Sequence, residues 1–331
     1  MSATTTGHSG KSATVLPIAG FKDLYHVATV ERALQELPAG ANDALRALYE
    51  KMLKLGGQRL TVKPSAMPVM DALFEEMPNF SEVLDDIRKQ LALCIDSADA
   101  IELPPMLLLG DPGIGKTHFA RRVADLMGTG HGFVPMSSLT AGWVLSGASS
   151  QWKNAKPGKV FDTLVNGDYA NPVIVVDEID KASGDVQYDP LGALYELLEG
   201  GTATRFVDEF VEVPIDASGA VWFATANDAS HIPEPILNRM NVYEISAPDA
   251  AGARRIAQTI YCEIRDGHDW GRAFPERPAE ALLEKLSGYG PREMRRVIQS
   301  GFGNAKLAGR TEISPDDIQD KHGAKRQRIG F

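Results

Sequence analysis

Eight residues, GDPGIGKT from Gly110 to Thr117, have the first spacing in this sequence that implies chemistry. They fit the pattern G-x-x-x-x-G-K-[ST], with the apolar run MLLL (106–109) before them and the helical pattern HFARRVADLM after them. Gly110, Gly113 and Gly115 let backbone N–H groups turn inward around phosphate oxygens. Asp111, Pro112 and Ile114 supply further backbone, and the helix N-terminus adds the positive end of its dipole. Lys116 is placed to reach the β- and γ-phosphates of a nucleoside triphosphate, and the Thr117 hydroxyl to ligate Mg²⁺. Residues Gly110 through His118 are therefore the expected phosphate-binding stretch.

A second acidic element follows at VIVVDEIDK (173–181). Four apolar residues running into two carboxylates put Asp177 and Glu178 at the carboxyl end of a strand, where ligands of α/β sheets sit. Asp177 is suited to hold Mg²⁺, and Glu178 to orient and deprotonate an attacking water. A later run, AVWFATAN (220–227), ends on the uncharged Asn227. In a doubly wound order that residue emerges beside the two acids and can position the water or sense the γ-phosphate.

These residues need a scaffold, and the apolar pattern supplies one. Short runs recur between amphipathic segments: MLLL (106–109), GFVPM (132–136), VIVV (173–176), AVWFATA (220–226) and VYEI (242–245). Runs so short and continuous predict parallel strands covered on both faces. The expected fold class is α/β: a P-loop core with a parallel five-stranded sheet, a small helical lid after it and a short helical region before it. The expected boundaries are a disordered tail over 1–20, a helical N-terminal region and linker over 21–80, the core over 81–247, the lid over 248–320 and a basic tail over 321–331. Within the N-terminal region, NDALRALYEKMLKLGG places Leu45, Leu48, Met52 and Leu55 on one helix face, with Gly56-Gly57 as its stop.

The chain has 331 residues, 44% hydrophobic and 24% charged, with a net charge of −10. No global basic field exists to gather nucleic acid or anionic lipid. Cys94 and Cys262 lack CxxC or His-rich spacing and read as reduced, buried thiols. With no run of 18 apolar residues and no apolar signal core, a cytoplasmic location and no membrane partner are expected. The seven histidines show no metal spacing; His118 and His231 have no partner that the sequence identifies.

One residue fits none of this. Trp152, in SGASSQWKNAKPGKVF (146–161), is surrounded by Ser149, Ser150, Gln151, Lys153, Asn154 and Lys156. A large aromatic among polar neighbours asks for a partner.

In order along residues 80 to 312, GDPGIGKTHFA, KPGKVFDTL, VIVVDEIDK, FVDEFVEVPIDASGAVWFATAN, IPEPILNRM and GPREMRR together resemble an AAA+ ATPase, and specifically the ATPase module of Lon-type proteases. The resemblance implies ATP and Mg²⁺ as ligands and a hexameric ring of identical subunits. It implies that Arg239 is an arginine finger completing a neighbour's site, and that Arg292 is the sensor on the lid, with Arg295 and Arg296 adjacent to it. It also implies that Trp152 projects into a central channel to grip extended polypeptide, with Phe206 and Phe210 in a second channel-facing region.

There are departures from the family. Asp111 stands where the family has proline, and Lys153-Asn154 where it has an apolar residue and glycine. The Ser-Lys protease domain of Lon would have to follow the lid, and the chain stops at Phe331. The expectation is an ATPase without its own peptidase that remodels, unfolds or translocates proteins, with a separate protease or adaptor as a candidate partner. The alternatives are a nucleic-acid-associated ATPase of the clamp-loader or helicase-partner type, against which the net charge and the lack of an aromatic–basic stripe argue, and a nucleotide-gated scaffold.

Overall fold

The computed structural model describes residues 18–38, 40, 42–63, 66–95, 97–138, 143–182 and 189–319. The expected tails over 1–20 and 321–331 lie almost wholly outside the described residues. By packing the chain divides into two units, interleaved in sequence. The first takes residues through Pro68, Asp86–Leu107 and Ala120–Val242; the second takes Val69–Asp85, Leu108–Phe119 and the chain from Tyr243 onward. The phosphate loop thus groups with the C-terminal helices, whereas the sequence reading separated core from lid at residue 247.

The N-terminal segment is not purely helical as expected. Strand β1 (Ile18–Asp23), helices α1 (Val27–Glu36) and α2 (Asp43–Leu55) and strand β2 (Gln58–Val62) form one module, in which β1 and β2 pair antiparallel. Helix α2 starts where the Asn42 side chain accepts from Ala44 N and ends at Gly56, whose φ of 70° suits glycine. The Tyr25 hydroxyl lies within hydrogen-bond reach of the carbonyls of Met52 and Gly56 at the helix end, its one proton shared between them. The buried face of α2 is Leu45, Tyr49 and Met52, while Leu55 is exposed. The face is rotated toward Tyr49 because that residue's hydroxyl donates to Val211 O at 2.6 Å.

Next come α3 (Asp71–Glu76), α4 (Ser81–Ile95), β3 (Met106–Leu109), α5 (Lys116–Met127), β4 (His131–Pro135), α6 (Trp143–Ser146), α7 (Lys159–Val165) and β5 (Val173–Asp177). They are followed by α8 (Leu194–Leu197), α9 (Gly200–Ala203), the short pair β6 (Phe206–Val207) and β7 (Pro214–Ile215), β8 (Val221–Ala226), α10 (Glu234–Leu237) and β9 (Asn241–Glu244). The five-stranded sheet runs β4-β5-β8-β3-β9. Strands β4, β5 and β8 pair in parallel, with Val173 opposite both His131 and Val221. Every residue of β8 is buried, as a strand covered on both faces must be.

The second unit carries α11 (Ala250–Asp266), α12 (Glu280–Leu286) and α13 (Pro291–Leu307). Its helices close over Ile256, Ile260, Leu282, Leu286, Met294 and Ile298. The Phe302 ring meets those of Tyr261, Trp270 and Phe274 at 4.9, 5.0 and 4.8 Å.

Candidate nucleotide site and substrate loops

The phosphate loop lies in the second unit. Gly113 and Gly115 have φ of 85° and 107°, in the region that side chains disfavour, so glycine is required at both turns. The Lys116 ammonium is nearly buried and donates to the carbonyls of Gly110 at 2.6 Å and Asp111 at 2.9 Å. It is thus held inside its own loop, on acceptors that phosphate oxygens can replace. Behind the loop the Phe80 and Phe119 rings stack at 4.4 Å, and a Cβ on Gly115 would touch Phe80. A Cβ on Gly113 would lie 3.7 Å from that of Arg292, which brings α13 to the loop. Arg295 and Arg296 are taken by Glu263 and Glu293, and Arg292 is exposed.

His118, at the start of α5, meets Glu76 at 3.3 Å. With Glu263 these two offer ligand atoms within 4.8 Å of one another, a spacing that could take a metal ion. The sequence showed none of this, because the three residues come from α3, α5 and α11.

The acids lie in the first unit. Asp177 ends β5, and Glu178 follows with φ 55° and ψ 50°, a left-handed conformation rare for a residue with a side chain. Such strain costs on the order of 1 kcal/mol or more and gathers at functional positions. One buried side chain fixes this turn: Thr225 of β8 accepts from Glu178 N at 2.9 Å and donates to Asp177 Oδ1 at 2.7 Å. Sequence reasoning missed Thr225; a lone hydroxyl inside the apolar run VWFATA was the available signal. Because β8 lies beside β5, Asn227 leaves the sheet next to the acids, as the doubly wound order requires.

Arg239 follows α10. It donates to Pro235 O at 2.7 Å and pairs with Glu199 at 3.1 Å, while its buried Nε has no hydrogen-bond partner among the described residues. His231 is exposed and faces Asp228 at 3.4 Å.

Trp152 is 42% exposed, at the tip of a loop closed by Ala148 N donating to Lys156 O. It does have an aromatic neighbour: Trp143 of α6, 38% exposed, meets it edge-to-face at 5.5 Å. Phe206 and Phe210 differ from expectation. Both rings are 1% exposed, because in the β6–β7 hairpin they alternate inward while Val207, Glu209 and Glu212 face out. They pack the hairpin and offer no surface for gripping a substrate.

Residues 106–246 match the family described as ATPase family associated with various cellular activities (AAA). The chain carries an AAA ATPase domain. Over 247 residues, 71% of this chain, it is 33% identical to Lon protease of Finegoldia magna, and 31% of that relative is covered. Over 227 residues, 65% of this chain, it is 35% identical to the mitochondrial Lon protease homolog of Schizosaccharomyces pombe, of which 21% is covered. The chain therefore spans a third or less of the length of these curated relatives. The solved structure of the S. cerevisiae Hsp104:casein complex in its extended conformation superimposes with a TM-score of 0.59 at 19% identity, covering 81% of this chain and 51% of that one, a likeness of fold. The matched domain supports nucleotide binding and ATP hydrolysis. Among the described residues no helix is long and apolar enough to cross a membrane.

Proposed function

We propose that this AAA ATPase is a ring-forming motor that pulls on polypeptide. The observation that carries the reading is the exposed pair formed by Trp152, at the tip of a closed loop, and Trp143 of α6. Two large rings held edge to face offer broad apolar contact without sequence-specific hydrogen bonds, which suits a substrate of varied sequence. The similarity to Lon proteases, which act on proteins, points the same way.

In the hydrolysis step we assign Lys116 and the backbone of Gly110–Thr117 to the phosphates, and Arg292 to sensing the nucleotide from α13. The lid assignment is supported by Arg292 lying by Gly113 while Arg295 and Arg296 are paired elsewhere. The glycine turns and the carbonyl-bound ammonium fit a triphosphate. Thr117 and Asp177 are the residues that would hold Mg²⁺, which neutralises phosphate charge when bound. Glu178 takes the proton of the attacking water, and Asn227 orients that water. Arg239, held by Glu199, stabilises charge on a neighbouring subunit's nucleotide.

The test is steady-state ATP turnover, alone and with a permanently unfolded protein or single-stranded DNA. Stimulation by the unfolded protein, lost in Trp152→Ala, is the expected result. Stimulation by DNA that survives Trp152→Ala would move the protein to the nucleic-acid class.

A further inference from the structure

A buried carboxylate joins the Trp152 loop to the β6–β7 hairpin. Asp208 is fully buried, and its two oxygens face in different directions. Oδ1 accepts from the hairpin's own Phe210 N at 2.9 Å and Val211 N at 3.2 Å. Oδ2 accepts from Gly158 N at 2.7 Å, at the far end of the Trp152 loop. The near end of that loop reaches the same group. Gly147 has φ 80°, and a Cβ there would lie 2.3 Å from Oδ1. The two loop ends also press on each other, since a Cβ on Gly158 would lie 2.2 Å from Leu145 O and 2.4 Å from Gly147 N. Next to the carboxylate, Glu209 N donates to Ser146 O at 2.6 Å. The contact therefore needs glycine at both loop ends and an acid in the hairpin.

A buried carboxylate is expensive unless its acceptor sites are filled, and here three backbone N–H groups fill them. Asp can fill both jobs at once: one oxygen caps the hairpin turn and the other holds the loop. Asn cannot, because whichever way its amide is turned, an NH₂ faces an N–H donor. We propose that Asp208 is a positioning residue that fastens the Trp152 loop to the β6–β7 hairpin, so that the hairpin is the rigid base from which Trp152 meets polypeptide. The proposal rests on the reading of Trp152 as a substrate contact. Two further bonds brace the same unit: Ser150 Oγ donates to Glu212 at 3.2 Å, and Asn42 Nδ2 donates to Ser150 O at 3.1 Å.

The test uses the full chain with Asp208→Asn and, in case that variant folds poorly, Gly147→Ala, which drives a methyl against the carboxylate. Amide hydrogen exchange reads the fastening without any substrate. Peptides covering 156–160 should exchange about tenfold faster or more in either variant, while β5 and β8 keep wild-type protection. With a carboxymethylated, permanently unfolded protein as probe, the concentration giving half-maximal stimulation of ATP turnover should rise about fivefold or more, with a smaller change in the maximal rate. Unchanged exchange in both variants overturns the proposal. So does faster exchange with wild-type half-saturation, if Trp152→Ala raises that value in parallel. A wild-type protein that does not respond to the probe at all overturns the substrate reading, and the positioning role with it.

Discussion

At the residue scale three side chains carry predictions. With Glu178 proposed as the base, Glu178→Gln keeps the shape and removes that function, so ATP turnover should fall by about 10²–10⁴-fold with nucleotide binding retained, as read by equilibrium binding of a fluorescent analogue. Thr225→Val is the sharper experiment. It leaves Asp177 and Glu178 N without their shared hydroxyl. The lost bonds are worth about 1–3 kcal/mol, so kcat should drop about tenfold or more with a smaller change in KM for ATP. Asp208 makes a prediction about pH. Burial is the main cause that pushes its carboxyl up to about 7; Gly158, Phe210 and Val211 N–H groups pull it down, and nearby Asp162 adds to the rise. A raised carboxyl means the folded chain holds a proton the unfolded chain has released. Its contribution to stability is full below about 4 and is lost as pH rises through about 7. The slope of thermal stability over that window should flatten in Asp208→Asn.

At the scale of elements, the parallel strands were legible because a strand buried on both faces must be apolar without interruption. MLLL, VIVV and AVWFATA correspond to β3, β5 and β8 to within a residue or so. The β1–β2 ribbon was not legible: β1 includes Gly20 and the 70%-exposed Phe21, and its partner comes after two helices. Phe206 and Phe210 illustrate a related limit, since alternation names two faces without saying which one the core takes. In the C-terminal helices, Phe302→Ala removes the ring at the centre of the aromatic cluster and should cost about 3–5 kcal/mol, read by chemical denaturation. Below them, Arg310 grips Asp317 with both amino groups at 2.7 and 2.6 Å, and that bond holds the Asp317 carboxyl down to about 2. The depressed value places its stabilisation above about pH 4, to be lost as pH falls toward 2. Asp317→Asn should remove that acid-side loss.

At the scale of the whole molecule, the assignment of Arg239 to a neighbour's site can be tested by mixing. Arg239→Ala subunits keep Glu178, and Glu178→Gln subunits keep Arg239. If the finger acts in trans, each pure variant should be nearly inactive and a mixture should regain ATP turnover through mixed interfaces. Activity that never exceeds the sum of the two variants would put Arg239 in its own subunit's site or outside catalysis.

The sequence alone determined the α/β core, the glycine turns after β3 and the placing of two acids at the end of β5. Each is local: backbone turns need glycine within a few residues, and a strand's end places the carboxylates that follow it. The tertiary structure decided what depends on residues far apart in the chain. Thr225 reaches Asp177 because β8 lies beside β5; Arg292 stands by Gly113, while Arg295 and Arg296 are engaged elsewhere. Trp143 meets Trp152, and Asp208 binds Gly158, only because loop and hairpin fold against each other. No periodicity records such meetings, since hydrogen bonds and ring contacts depend on distance in space and not on spacing along the chain.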